Sequence, residues 1–127
     1  MTDEPRIERR GGVPVAVLVG EIDLSRAARI RDQLFAAVTN QEHGMVVDLQ
    51  ETTYLDSAGI NVLFELAERL DHRQQRLVAL LPRRAVVRRV IELVDLASVM
   101  GVSETLEGAV AEIEALAGDD ESSRGAT

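Results

Sequence analysis

Residues 45–60 read Met-Val-Val-Asp-Leu-Gln-Glu-Thr-Thr-Tyr-Leu-Asp-Ser-Ala-Gly-Ile, and the fold follows from how this stretch is divided. Met45, Val46, Val47 and Leu49 form a short apolar run rich in β-branched residues, broken by Asp48, which is the composition of a core strand. The polar residues Gln50 to Thr53 read as its exit loop. Downstream, Ile60, Leu63, Ala67 and Leu70 recur at helical spacing with Phe64 and Leu66 beside them, predicting a helix from about Ser57 to about Gln74. Asp56 and Ser57 therefore fall at its N-terminus. Unpaired backbone N–H groups and a partial positive charge gather there, and a hydroxyl, carboxylate or phosphate satisfies them. As a plain N-cap either residue contributes about 1 kcal/mol.

Upstream, Arg6 to Arg10 leads into Gly11-Gly12, a pair suited to the positive φ angles of a tight hairpin, and Val13 to Gly20 reads as the returning strand. Pro14 stands near its start, where a missing N–H is tolerated. After Gly20-Glu21-Ile22-Asp23, the residues Ala27, Ile30, Leu34, Phe35 and Val38 mark a helix to about Asn40, capped by Asp23 or Ser25. Beyond the organising stretch, Leu77 to Leu81 is an apolar run suited to a strand covered on both faces. Pro82 ends it and admits a third helix. Its stripe is Val86, Val87, Val90, Ile91 and Val94, opposite a solvated face of Arg83, Arg84, Arg88 and Arg89. A short strand at Ser98 to Met100, a turn at Gly101 and a last helix capped by Ser103, with Leu106, Val110, Ile113 and Leu116 inward, complete the order. Strand then helix, repeated, implies parallel pairing. The expectation is an α/β fold: a mixed sheet that opens with an antiparallel hairpin and continues in parallel strand-helix units, flanked by about four helices. Residues 1–117 form one domain, and 118–127, Gly-Asp-Asp-Glu-Ser-Ser-Arg-Gly-Ala-Thr, read as a disordered acidic tail.

Composition narrows the function. The 127 residues suffice for one core, and with 2% aromatic residues that core is built from Val, Leu, Ile and Ala. Without cysteine there is no disulfide framework and no thiolate metal site. No apolar run approaches the ~20 residues that span a bilayer, and a cytoplasmic location without membrane contact is expected. A net charge of −8 argues against a nucleic-acid partner, which would call for a basic surface. All 14 basic residues are arginine, and the missing lysine counts against the two-component receiver fold.

The order of these motifs is more specific than any one of them. Over residues 6–117 the chain resembles STAS domains, the anti-sigma-factor antagonists. The likeness rests on the hairpin, Gly20-Glu21-Ile22-Asp23, the helix, Val46-Val47-Asp48-Leu49 and Asp56-Ser57-Ala58-Gly59-Ile60. Ile22 stands for the family's leucine, and Asn61 replaces a common glycine. The resemblance implies Ser57 as a phosphate acceptor and a partner surface of Asp23, Asp56, Ser57, Ala58 and Gly59. It further implies an anti-sigma factor that is also a serine kinase, bound by the unphosphorylated form so that a sigma factor is freed, and a serine phosphatase acting on phospho-Ser57. A non-switching STAS interaction module, in a stress-signalling scaffold or a lipid-transport system, is the alternative. Asp23 reads equally as a helix cap, and Asp48 as a strand-end residue satisfying loop amides.

Other chemistries fit poorly. Leu55 stands where a Gly-x-Ser-x-Gly nucleophile elbow needs glycine, and His43 and His72 read as surface residues rather than a catalytic base. No glycine-rich phosphate loop occurs, and Glu21, Asp23 and Asp56 lack a metal-ligand spacing. No cofactor, metal or catalytic residue is expected.

Overall fold

The computed structural model describes residues 4–125, with side chains through Ala117; the expected tail at 118–127 lies outside the described side chains. The elements are β1 (Arg6–Arg10), β2 (Val13–Val17), β3 (Gly20–Ile22), α1 (Leu24–Ala37), β4 (Gly44–Asp48), β5 (Thr52–Leu55), α2 (Ser57–His72), β6 (Arg76–Leu80), α3 (Arg88–Leu93), β7 (Gly101–Ser103) and α4 (Leu106–Gly125). Five strands form the main sheet in the order β1-β2-β4-β6-β7, and β3 and β5 form a separate two-stranded sheet. β1 and β2 pair antiparallel, and every other pairing is parallel. The mixed α/β architecture is the expected one.

Alternation along the central strands explains why helices cover both faces. Val15, Val46 and Val78 stand in register on one face, while Ala16, Val47 and Ala79 stand in register on the other. The Val46 face, with Val13, Val17 and Leu80, packs on Ala109, Val110 and Ile113 of α4. The Val47 face, with Met45 and Leu77, packs on α1 and α2 through Ile30, Leu34, Leu63, Leu66 and Leu70. Strands buried on both sides carry no polar stripe, which is why they read as unbroken apolar runs.

The hairpin turns at Gly11 and Gly12, with φ of 60° and 89°. Six expectations are corrected. The strand expected over Val13–Gly20 ends at Val17: Gly20 adopts φ 82°, and the chain leaves the main sheet to start β3. The exit loop expected at Gln50–Thr53 contains the start of β5, because Thr52 is buried, donates its hydroxyl to the Leu18 carbonyl at 2.8 Å and pairs with Gly20. The helix expected from Pro82 is confined to Arg88–Leu93. Successive turns precede it, Val87 offers no side-chain cap, and Arg83 and Arg88 reach Glu104 rather than lining one helical face. The strand expected at Ser98–Met100 is displaced: Leu96–Ser98 is a 3-10 turn, and the strand is Gly101–Ser103. Gly101 is strand and not turn, since it pairs with Val78 of β6, and the Glu112 carboxylate lies over the place a Cβ would take. The cap of α4 also moves: Thr105 Oγ1 accepts from Gly108 N at 3.0 Å, whereas Ser103 Oγ accepts from Thr105 N.

The parallel strands β4 and β6 end at Asp48 and Leu80, and the N-terminus of α2 lies at this end of the sheet, where open α/β sheets place their ligand sites. His43 precedes β4 at the other end.

Candidate functional site

Two helix N-termini meet beside the small sheet. β3 and β5 pair in parallel with Glu21 opposite Tyr54 and Ile22 opposite Leu55, so the residues that follow them, Asp23 and Asp56, start α1 and α2 side by side. Each is an N-cap in extended conformation. Asp23 Oδ1 accepts from Ser25 N at 3.0 Å and from the Ser25 hydroxyl at 2.6 Å. Asp56 Oδ1 accepts from Gly59 N at 3.0 Å.

The second oxygen of Asp56 does something a cap does not. Asp56 Oδ2 accepts from Leu24 N, the first residue of α1, at 3.1 Å. One carboxylate therefore satisfies an orphan N–H from each helix and ties the two first turns together. Asp56 N adds a bond to the Ile22 carbonyl at 3.3 Å. Gly59 lets this junction close: it is buried, and a Cβ on it would stand 2.5 Å from the Ile22 carbonyl oxygen. The structure brings Asp23, Asp56 and Ser57 together at one surface, with Ala58 half-buried. Gly59 sits beneath that surface and contributes close packing.

Ser57 is the first residue of α2, exposed, and directly follows the carboxylate clamp. The Ser25 hydroxyl, followed by desolvation that opposes it and by backbone N–H groups that reinforce it, holds the Asp23 carboxyl below its ordinary value of 3.8. Arg26 folds back onto the backbone, donating to the Val19 carbonyl at 3.1 Å and to the Glu21 carbonyl. Around this junction stand the carboxylates of Glu21, Asp23 and Asp56, with the charge of Arg26 felt at Asp23, and two exposed apolar side chains, Leu24 and Tyr54, that helical and strand patterning gave no reason to single out. Asp48 keeps to the role expected of it, accepting from Gln50 N at 2.9 Å and Gln50 Nε2 at 3.2 Å.

No acid-base pair stands ready at the serine. His72 ends the same helix fifteen residues on, about 22 Å away at 1.5 Å per residue. Among the described residues, no three His, Asp or Glu side chains converge as a metal site, and no helix is long and apolar enough to cross a membrane.

A family model described as the STAS domain matches residues 4–109, which takes in the junction and both faces of the sheet. The chain belongs to the STAS domain family. It is 30% identical over 99 residues to the anti-sigma-F factor antagonist RsfB of Mycobacterium tuberculosis, covering 78% of this chain and 80% of that protein. It is also 30% identical over 105 residues to BtrV of Bordetella bronchiseptica, covering 83% of this chain and 90% of that one. The crystal structure of an anti-sigma factor antagonist from Mycobacterium paratuberculosis superposes with a TM-score of 0.74 at 28% identity, over 87% of this chain and 92% of that chain. The STAS sheet order and the four helices thus come with relatives named for one regulatory role.

Proposed function

We propose that this STAS domain is an anti-sigma factor antagonist switched by phosphorylation of Ser57. Unmodified, it binds an anti-sigma factor that is also a serine kinase and so frees a sigma factor; phosphorylated, it lets go, and a serine phosphatase resets it. The observation that carries the reading is the placement of Ser57: an exposed hydroxyl on the first residue of α2, beside a carboxylate already committed to two backbone N–H groups. A phosphate there adds nearly two negative charges at the favourable end of a helix dipole, so the fold tolerates it while the surface changes. The names of the relatives at 30% identity support the same role. The domain acts as a binding module, and its exposed acceptor favours a switch over a constitutive scaffold.

The test is direct. The source organism's anti-sigma factor serine kinases are expressed singly and incubated with the protein and ATP, and the modified residue is mapped by mass spectrometry. Titration calorimetry then compares the unmodified, Ser57→Glu and phosphorylated forms. Ser57→Ala binds but takes no phosphate, Ser57→Glu binds about 5- to 150-fold more weakly, as regulatory couplings of this kind do, and the phosphoprotein is weaker still. Equal affinities for all three forms would refute the switch.

A further inference from the structure

We propose that Leu24 and Tyr54 are the apolar anchors of the partner interface, that they seat in an apolar pocket of the anti-sigma partner, and that phospho-Ser57 acts by forcing a dianion into that desolvated zone. The proposal deepens the antagonist reading and rests on it.

Among the described residues, the exposed large apolar side chains are those of Ile7, Leu24, Tyr54, Val86, Leu93 and Val99; Leu24 donates its backbone N–H to Asp56, the residue before Ser57, and Tyr54 lies three residues before Ser57. Leu24 is 79% exposed and Tyr54 50%. Leu24 stands three residues before the buried Ala27 and six before Ile30, on the side of α1 that its periodicity directs to the core, yet its side chain is in solvent. Its position is not loose, because the Asp56 carboxylate holds its backbone N–H. Tyr54 lies two residues before Asp56, on a strand whose neighbour carries Glu21 at the paired position. Both anchors thus belong to the junction that leads into Ser57, Leu24 through its bond to Asp56 and Tyr54 through the β3–β5 pairing. A partner that buries them meets a surface organised before binding, which lowers the ordering cost of association. Tyr is among the residues over-represented at interface hot spots, and an exposed Leu gains by full burial.

The charge around the anchors defines the rim of the pocket. Glu21, Asp23 and Asp56 carry three carboxylates against the one guanidinium of Arg26, which donates to backbone carbonyls and acts on Asp23 through its charge. The complementary partner therefore offers arginine or lysine opposite Glu21 and Asp23, and apolar side chains opposite Leu24, Tyr54 and the Ser57 hydroxyl. A neutral hydroxyl enters such a contact at far less cost than a dianion. A phosphate beside Asp56 meets both desolvation and a like charge.

The experiment uses the full chain and the kinase that binds it in the assay above, with surface plasmon resonance at two ionic strengths and thermal melts as a folding control. Leu24→Ala and Tyr54→Ala each weaken binding about tenfold, mainly through faster dissociation. Glu21→Gln slows association and flattens its salt dependence. Leu93→Ala, an equally exposed leucine on α3, binds within about twofold of the wild type. The penalty of phosphorylation shrinks in Leu24→Ala, because the phosphate is then no longer sealed from water. Anchor variants that bind within about twofold of a wild type that is itself switched by Ser57 would overturn this inference and leave the antagonist reading intact. A wild type that binds none of the kinases would overturn both.

Discussion

Replacing Asp56 with alanine removes a side chain that satisfies backbone donors on both α1 and α2, and its cost follows from two bonds. The first, to Gly59 N at 3.0 Å, is an N-cap, whose loss costs about 1 kcal/mol. The second, to Leu24 N at 3.1 Å, has a charged acceptor and joins two elements, but its surroundings are partly exposed, so water recovers some of it and about 1–2 kcal/mol remains. The sum is about 2–3 kcal/mol. For a domain of this size each kcal/mol lowers the melting temperature by roughly 3–5 °C, so Asp56→Ala should melt roughly 6–15 °C below the wild type. Asp56→Ser separates the terms: serine still caps α2 but is too short to reach α1, so it should lose the Leu24 bond and little else. Circular-dichroism melts measure the totals, and amide hydrogen exchange at Leu24 and Gly59 reads each bond. A melting temperature within about 2 °C of the wild type, or unchanged protection of the Leu24 amide in Asp56→Ala, would refute the two-helix clamp.

Gly59→Ala should destabilise by about 1–3 kcal/mol despite alanine's better helix propensity, because its Cβ would stand 2.5 Å from the Ile22 carbonyl oxygen and 3.1 Å from Leu55 Cδ2; an unchanged or higher denaturation midpoint would show that α2 can tilt off β3 at no cost. Acid should weaken the start of α1: the Asp23 carboxyl is held below 3.8 by Ser25, so its capping contribution is present above that value and lost as pH falls through the lower folded-state pKa. An acid titration of stability should therefore be shallower in Asp23→Asn than in the wild type, and identical acid limbs would count against the Ser25 bond.

The amino-acid sequence alone determined the layers of this protein and the address of its serine. Val46-Val47 and Leu77 to Leu81 are apolar without alternation because both faces of their strands are covered, a property each segment carries locally. Asp56-Ser57 at the head of a 3.6-residue periodicity needed nothing beyond nearest neighbours to be read as a helix start. Segments whose state depends on distant partners were another matter. Thr52–Leu55 is a strand because Gly20 turns β3 toward it, Gly101 is a strand residue because Val78 of β6 pairs with it, and residues 82–87 stay out of the helix where the side chains of Arg83 and Arg88 meet Glu104. Asp56 shows the division within one side chain. Its bond to Gly59 spans three residues and is legible as a cap, whereas its bond to Leu24 spans thirty-two and exists only because two short strands pair and deliver both helix starts to one place. Hydrogen bonds of low sequence separation are written in local pattern, and those closed by the folding of the whole chain are decided by the tertiary structure.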